Sequence, residues 1–182
     1  MVKIVIDGNI SSGKTTQLTK LEESGFKVKR EPINDWPLEL YYSDPARWGL
    51  AFQLKVLKSH SQVEDGDCIY ERYTGSGMNV FWPAMEKTSF EDEVYRAMYE
   101  NLGWIPDIYI LIDKSPYLCF SHLMERKQVG DESVSLDYIK TLHENYITMF
   151  EKLECIKVKI NGDQSIQKVN QDIINFIIKK NL

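Results

Sequence analysis

The strongest constraint on the fold lies in the first sixteen residues of the chain, which read MVKIVIDGNISSGKTT. An apolar, β-branched run leads into G-x-x-x-x-G-K-T, the pattern of a phosphate-binding loop between a strand and a helix. The glycines let the backbone turn so tightly that successive N–H groups point at phosphate oxygens, and the N-terminus of the following helix adds a favourable dipole. These residues therefore predict a strand, a loop and a helix that bind a nucleoside triphosphate.

Every residue of this loop is predicted to contact the triphosphate. Lys14 would reach the β- and γ-phosphates, and the hydroxyl of Thr15 would help to hold Mg²⁺. The full predicted set is Gly8, Asn9, Ile10, Ser11, Ser12, Gly13, Lys14, Thr15 and Thr16. A glycine-rich turn without a ligand is the alternative, which the coincidence of motif and context disfavours. The motif alone does not identify the phosphoryl acceptor, since GTPases, motor ATPases and small-molecule kinases share it.

Composition excludes several classes of protein. The chain has 182 residues, of which 43% are apolar, and this is typical of a single domain, here residues 1–182. A net charge of -5 argues against nucleic acid as a partner, because nucleic-acid-binding domains are usually basic. The longest apolar runs are too short to span a membrane, and the residues before the first predicted strand show no signal-peptide pattern, so we expect neither a membrane span nor a signal peptide. Three widely spaced cysteines indicate free thiols, so we expect a soluble, cytoplasmic protein.

Apolar periodicity predicts strands that alternate with helices. Short β-branched runs predict five strands, at residues 3–6, 27–30, 67–70, 108–112 and 156–160. Helical periodicity predicts six helices, at residues 15–23, 45–61, 89–102, 115–125, 135–151 and 165–180. This alternation is typical of an α/β protein of the P-loop NTPase type, with a five-stranded parallel sheet flanked by helices on both faces. The carboxyl ends of the strands should meet in one crevice.

Two segments that follow predicted strands carry groups suited to phosphoryl transfer. In REPINDW, Glu31 would accept the proton of an attacking hydroxyl and Trp36 would pack against a flat base. A solvated glutamate and a half-buried tryptophan are an equally good interpretation of that segment alone. In YERY, the adjacent Glu71 and Arg72 suit a site that holds Mg²⁺ and phosphate, although a surface ion pair is the commoner role of such a pair.

A third segment, HLMERKQVGDE, begins at residue 122 and interrupts two predicted helices. An exposed basic segment that closes over a transferring phosphoryl group would supply positive charge and exclude water. The alternative is an ordinary solvated loop, which is the usual role of a charged stretch. We expect a lid at about residues 122–134.

Taken in this order, the segments resemble one family, the deoxynucleoside kinases related to deoxycytidine kinase, deoxyguanosine kinase, mitochondrial thymidine kinase and the insect multisubstrate enzyme. The resemblance rests on IDGNISSGKTT, EPINDW, RWGLAFQ, the ER pair and LDYIKTLH, and it runs from residue 3 to about residue 160. It implies transfer of the γ-phosphoryl group of ATP to the 5′-hydroxyl of a deoxynucleoside, with Mg²⁺ present and with a homodimer as the assembly. The chain looks like a compact member, from a viral or otherwise reduced genome.

The resemblance also implies a role for each matching residue. Glu31 is the general base, Arg72 steadies that carboxylate and the phosphoryl group, and Lys14 completes the catalytic set. Glu71 lies near Mg²⁺ together with Thr15. The residues implied to bind the deoxynucleoside are Glu31, Trp36, Tyr42, Phe52, Gln53, Arg72, Gly77, Phe81 and Asp131. In that set the amide of Gln53 pairs with the base edge, the aromatic rings line the base, and Tyr42 and Asp131 hold the 3′-hydroxyl. Arg126 matches a lid arginine that binds the triphosphate.

The chain departs from the family pattern at the lid and near the base. His122 and Gln128 stand where the family usually has arginines, Lys127 partly compensates, and Asp131 stands where the family usually has glutamate. His122 either stacks on the adenine of the donor or is simply a surface residue. Gly77 occupies the position at which deoxycytidine kinase has an acidic residue that faces the base. A glycine leaves room for the methyl group of thymine, so we expect thymidine to be accepted.

The nearest alternative is a nucleoside monophosphate kinase, notably thymidylate kinase, whose loop also often ends GKTTQ and whose second strand is also followed by an EP pair. The two additional negative charges of a monophosphate acceptor require extra cations, for which Arg30 and Arg47 are available beside Arg72. Trp36 and the WGLAFQ segment favour a nucleoside. A second alternative is a regulatory protein that binds nucleotide without transferring phosphate.

Overall fold

A five-stranded parallel sheet forms the centre of the structure, a computed structural model that describes residues 1–128 and 130–180. Its strands are β1 (Lys3–Gly8), β2 (Val28–Lys29), β3 (Cys68–Glu71), β4 (Ile108–Asp113) and β5 (Ile156–Asn161). They pair in the order β2-β3-β1-β4-β5, and every pair is parallel. The five predicted strands and the predicted fold class are confirmed. The prediction for β2 was too long, because this edge strand pairs with β3 alone over two residues.

Helices precede or follow each strand. Their bounds are α1 (Lys14–Glu23), α2 (Leu38–Ser43), α3 (Pro45–His60), α4 (Thr74–Ser76), α5 (Ser89–Leu102), α6 (Pro116–Arg126), α7 (Leu136–Lys152) and α8 (Ile166–Lys179). The chain continues from α4 into a π-helical turn and then a 3-10 turn, which ends at Ala84. Six helices agree with the predicted ranges to within one residue at each end. The sequence did not predict α2, which has six residues and no buried side chain, or α4, because neither is long enough to show an apolar period.

The two faces of the sheet pack against different helices. Side chains alternate along β1, so that Ile4 and Ile6 lie in one apolar cluster with residues of α1 and α8. Val5 points to the opposite face and lies in a second cluster with residues of α7. Helices therefore cover both faces of the sheet, as predicted.

The carboxyl ends of the strands meet at one edge of the sheet. β1 lies in the middle, with β3 on one side and β4 on the other, so connections that leave β1 and β4 turn to opposite sides. In parallel α/β sheets such a reversal leaves a crevice beyond the strand ends, and ligands bind there. The phosphate-binding loop follows β1, Glu31 comes two residues after β2, and Arg72 directly follows β3.

Two expectations from composition concern the described residues as a whole. Cys68, Cys119 and Cys155 are free thiols, and the first two are buried. Across residues 1–128 and 130–180, the helices are all too short or too polar to cross a membrane.

Candidate active site

A cavity of about 590 Å³ opens at the carboxyl edge of the sheet and collects most of the predicted site residues. The predicted residues that line it are Ile10, Ser11, Gly13, Lys14, Thr15, Thr16, Glu31, Trp36, Tyr42, Phe52, Gln53, Glu71, Arg72, Gly77, Phe81, Arg126 and Asp131. Three predicted loop residues, Gly8, Asn9 and Ser12, lie outside this lining. Side chains from six separate segments of the chain therefore meet in one cavity.

The loop at residues 8–16 has the backbone geometry that its glycines predict. Gly8 and Gly13 have φ angles of 151° and 100°, which a residue with a side chain rarely adopts. A Cβ at position 8 would also lie 2.7 Å from the carbonyl oxygen of Ile112. Asn9 connects the loop to α7, because its side-chain amide donates a hydrogen bond to the carbonyl oxygen of Ile139. Asn9 thus has a structural contact rather than a place in the cavity lining.

Lys14 is the cation of the loop, and it is almost completely buried. Its Nζ donates to the carbonyl oxygens of Gly8 and Asn9, at 3.0 and 2.8 Å. Burial, together with the positive charge of Arg72, lowers the pKa of Lys14 to about 8. The ammonium group is therefore held in position inside the loop, and its charge is sensitive to pH near neutrality.

Thr15 and Glu71, the two predicted magnesium ligands, contact each other. The hydroxyl of Thr15 donates to Oε1 of Glu71 at 2.8 Å, which joins the start of α1 to the end of β3. Both residues offer oxygen atoms, the ligand type that Mg²⁺ prefers. No cluster of three or more His, Cys, Asp or Glu side chains able to bind a metal occurs within the described part of the chain. Two protein oxygens are compatible with an ion that takes its other ligands from phosphate and water.

Glu31 and Arg72 form a buried ion pair in the lining of the cavity. The side chain of Glu31 is 4% exposed and that of Arg72 is 9% exposed, and Nη1 of the arginine donates to Oε2 of the glutamate. Burial alone would raise the pKa of Glu31, but the charge of Arg72 and the contact with His60 lower it to about 2. Glu31 is therefore a carboxylate at neutral pH, the form that a general base requires.

Arg72 is also held in place by buried polar groups other than Glu31. Nε of Arg72 donates to the hydroxyl oxygen of Tyr146 at 3.0 Å and lies 3.6 Å from Oδ1 of Asp7. Asp7 is fully buried and also accepts hydrogen bonds from the backbone of Gly8 and the hydroxyl of Ser76. Arg72 has a φ angle of 61°, a left-handed conformation that costs a non-glycine residue about 1–3 kcal/mol. These contacts stabilise that conformation and direct the guanidinium towards Glu31.

One wall of the cavity is aromatic, which suits a flat base. Phe52 stacks on Tyr41 with ring centroids 4.5 Å apart, and Trp36 meets Phe52 edge-on at 6.2 Å. Beside them Gln53 is buried, and its Oε1 has no hydrogen-bond partner within the described residues. A buried amide oxygen without a partner is free to accept a hydrogen bond from a ligand. Gly77 lies next to this amide, since a Cβ on Gly77 would be 3.8 Å from Gln53 Oε1.

The predicted lid contributes an internal ion pair to the cavity. Arg126 donates through Nε and Nη2 to the two carboxylate oxygens of Asp131, at 2.9 and 2.8 Å. Gly130 packs so closely on Tyr42 that a side chain at position 130 would overlap the ring. The structure thus brings Tyr42, Arg126 and Asp131 together, and the remaining N–H groups of the guanidinium are available to phosphate. Residue 129, within the predicted lid, lies outside the described residues.

The sequence reasoning missed several residues of the site. Asp7, which orients Arg72, directly precedes the first glycine of the loop motif, and its place at a strand end was the available signal. Tyr41 and His60 line the cavity but belong to none of the motifs, and Tyr138 lies in the LDYIKTLH segment but was given no role in the site. His60 lies beside Glu31, with Nε2 3.2 Å from Oε1 of the carboxylate. No local pattern identifies this contact, because the two residues come from different elements.

The family of the chain follows from comparison with known proteins. The family model for deoxynucleoside kinases matches residues 4–181. The chain belongs to the deoxynucleoside kinase family. It is therefore a phosphotransferase by family, as the sequence motifs predicted.

Individual relatives support the same family and fold. A protein of Invertebrate iridescent virus 6 whose name calls it a kinase is 29% identical over 185 residues, which cover 95% of each chain. Human mitochondrial thymidine kinase 2 is 28% identical over 161 residues, covering 77% of this chain and 61% of the human protein. The solved structure of deoxyadenosine kinase from M. mycoides superposes with a TM-score of 0.87 at 20% identity, over 98% of this chain and 99% of that one. The last comparison confirms the P-loop NTPase-type fold of this deoxynucleoside kinase.

The lowered pKa of Lys14 predicts that triphosphate binding weakens in mild alkali. Between about pH 7 and pH 9 an ordinary lysine keeps its charge, whereas Lys14, with a pKa of about 8, loses most of it. We expect the dissociation constant of ATP, measured by calorimetry, to rise roughly tenfold over this range. Lys14→Arg is the control, because a guanidinium stays charged and should remove the pH dependence. A dissociation constant that is equally independent of pH in both proteins would contradict the prediction.

Proposed function

We propose that this chain transfers the γ-phosphoryl group of ATP to the 5′-hydroxyl of a deoxynucleoside, with thymidine among its substrates. The observation that carries the proposal is the buried Glu31–Arg72 pair, which lies between the phosphate-binding loop and the aromatic wall of the cavity. A triphosphate on the loop and a base on the wall would bring the sugar hydroxyl to this pair. Positioning of this kind is the main contribution that a protein makes to phosphoryl transfer.

Glu31 has the charge and environment of a general base. Its carboxylate is ionised at neutral pH, and the side chain is only 4% exposed, so little water can compete for the proton. The transition state of phosphoryl transfer is loose, so a weak base that orients the hydroxyl and takes its proton late is sufficient. Arg72 stabilises the carboxylate, and together with Lys14 it supplies positive charge where the transferred group passes.

The site also fits Mg²⁺, which neutralises charge on a bound triphosphate. We infer that the hydroxyl of Thr15 and the carboxylate of Glu71 would hold the ion, since their oxygens already lie 2.8 Å apart beside the loop. The same loop carries Lys14, so cationic charge would surround the β- and γ-phosphates from more than one side.

Thymidine is proposed from the surroundings of Gly77. A Cβ at this position would lie 2.7 Å from the hydroxyl of Tyr95, so the wall beside Gln53 is closed to larger side chains. Gly77 lines the cavity beside Gln53 without a side chain of its own, so we infer that this wall leaves room for the methyl group of thymine, and Gln53 offers a donor and an acceptor side by side. The family by itself does not decide the base, because its named relatives include kinases of different deoxynucleosides.

The arginines required by the monophosphate alternative lie elsewhere. Arg30 pairs with Glu22 at 2.8 Å, and the guanidinium of Arg47 lies over the ring of Trp48. Neither arginine lines the cavity among the described residues, whereas Arg72 is already paired with Glu31. An acceptor with two more negative charges would therefore meet little additional positive charge, which favours a nucleoside over a nucleoside monophosphate.

We also infer that residues 122–134 act as a lid. His122, Arg126 and Gln128 line the cavity from α6 and the turn after it. Arg126 is the cation of this segment that faces the cavity, and closure would bring it to the transferred phosphoryl group.

The assembly is proposed to be a homodimer formed through α3 and α5. Among the fourteen residues of α5 only Tyr95 is buried, while Phe90 is 70% exposed and Met98 is 41% exposed. Leu50 and Leu54 of α3 are only partly buried in the adjoining cluster. Exposed apolar side chains on one pair of helices are typical of a surface that associates with a second copy.

Removal of the base should abolish most of the activity. In Glu31→Gln the amide keeps the size of the side chain but accepts a proton far less readily, so kcat should fall about 100-fold or more. Initial rates with thymidine, ATP and Mg²⁺ measure the effect. Glu22→Gln, which changes an exposed glutamate, should retain the wild-type rate. A Glu31→Gln protein that phosphorylates thymidine normally would defeat the proposed function in favour of another use of the triphosphate.

The acceptor profile tests thymidine and the role of Gly77. Initial rates with the four deoxynucleosides and thymidine monophosphate should show activity on thymidine and little on the monophosphate. In Gly77→Asp the ratio of kcat/KM for thymidine to that for deoxycytidine should fall about tenfold, since the added carboxylate fills the space of the methyl group. Gly77→Ala should lower both values alike, because it crowds Tyr95 without adding charge. Activity on the monophosphate alone would show that the acceptor is wrong.

Charged substitutions on α5 test the proposed homodimer. Phe90→Glu combined with Met98→Glu places two charges on α5 and should convert a dimer to a monomer in sedimentation experiments. Tyr117→Glu, at a residue 65% exposed on α6, is the matched control and should leave the mass unchanged. A wild-type protein that sediments as a monomer would refute the dimer.

A further inference from the structure

His60 is a buried histidine in contact with the proposed base. It is the last residue of α3, is 8% exposed and lines the cavity. Its Nε2 lies 3.2 Å from Oε1 of Glu31, while Arg72 binds Oε2 of the same carboxylate. His60, at the end of α3, therefore contacts one oxygen of Glu31, and Arg72, directly after β3, contacts the other.

The position of the ring is determined by its neighbours. Trp36 packs edge-on against the imidazole with centroids 5.7 Å apart, and Trp104 donates its indole N–H to the carbonyl of His60 at 2.8 Å. Both ring nitrogens are buried, and neither has a well-aligned hydrogen bond within the described residues. A buried polar atom without a partner costs about 1–3 kcal/mol, so retaining an imidazole here requires a compensating role. Contacts of catalytic groups are often long and poorly aligned until the substrate binds.

Glu31 is the charged group that pairs with the imidazole. On the other side of His60 a narrow gap is lined by Lys29 and Arg30 from the end of β2, and by Glu71 and Arg72 from the end of β3. Lys29 is paired with Glu64 at 2.9 Å, and Arg30 is paired with Glu22. Glu71 accepts a hydrogen bond from the hydroxyl of Thr15, and Arg72 is paired with Glu31. The imidazole therefore has one available acidic partner among these groups, the carboxylate of Glu31.

We propose that His60 is a positioning residue that holds Oε1 of Glu31 and so keeps the carboxylate directed at the attacking hydroxyl. A guanidinium tends to bind both oxygens of a carboxylate in a fork-like arrangement. If Arg72 bound both oxygens of Glu31, the carboxylate would have to rotate so that both oxygens faced the guanidinium and turned away from the attacking hydroxyl. A donor on Oε1 from a different direction prevents that rotation. This inference rests on the proposed function, since it assigns Glu31 the role of base.

Two substitutions separate this role from simple packing. His60→Leu keeps apolar volume and removes the donor, so kcat for thymidine should fall about tenfold or more, with KM for ATP unchanged. His60→Gln retains an N–H donor near the position of Nε2 and should recover most of the lost kcat. The control is His143→Leu, a half-buried histidine that lies 3.8 Å from Asp113 and outside the cavity lining, and it should match the wild type.

The pH dependence of kcat distinguishes the positioning role of His60 from a packing defect, because a packing defect would not shift it. His60 contributes to the lowered pKa of Glu31, so its loss should raise that pKa from about 2, because the burial of the carboxylate remains. Since the base works only when ionised, activity is lost as the pH falls through this pKa. The acid limb of kcat in His60→Leu should therefore lie at higher pH than in the wild type, with His60→Gln between them. Carbon NMR titration of the Glu31 carboxyl should show the same order without turnover.

The outcomes distinguish the inference from the proposed function. Unchanged kcat and an unchanged acid limb in His60→Leu would refute the positioning role, and so would equal losses in both variants with the limb unmoved. If the wild type phosphorylates no deoxynucleoside, the proposed function is wrong. The NMR titration then still decides whether His60 lowers the pKa of Glu31, and an equal carboxyl pKa in the wild type and His60→Leu would refute that contact as well.

Discussion

The buried contact between Arg72 and Glu31 is the interaction on which the rest of the site depends. Two charges that leave water lose several kcal/mol of solvation each, and only close partners compensate that loss. Arg72 therefore requires Asp7 and Tyr146 behind it as well as Glu31 in front. This requirement explains why the ends of β1, β2 and β3 are joined by polar contacts at the same edge where their apolar faces end.

The same physical reasoning applies to the triphosphate side of the cavity. Lys14 is buried in a loop that its own glycines make possible, and it binds two carbonyl oxygens of that loop. A buried ammonium group attracts phosphate strongly, but the same burial lowers the pKa of Lys14. Membership of the deoxynucleoside kinase family and the fold agree with the proposal that one part of the cavity binds phosphate and another part binds the base.

Much of the fold was predictable because its signals are local. The loop motif spans a few consecutive residues, and the strands and helices show their periods within single segments. Short elements without a full apolar period, such as α2 (Leu38–Ser43), gave no signal. The same limit applies to the site, since Glu31 was predicted from the EPINDW segment that contains it, whereas Tyr41 belongs to no motif and was missed.

The sequence by itself determined the phosphate-binding loop, the alternation of strands and helices and the family, because each depends on residues close together in the chain. Only the tertiary structure decided which distant side chains touch. His60 meets Glu31 because α3 ends beside the residues that follow β2, and Arg72 turns towards Asp7 because its backbone adopts a left-handed conformation. Contacts of this kind depend on strand order and backbone angles, and those are set by the packing of the whole sheet rather than by any local pattern.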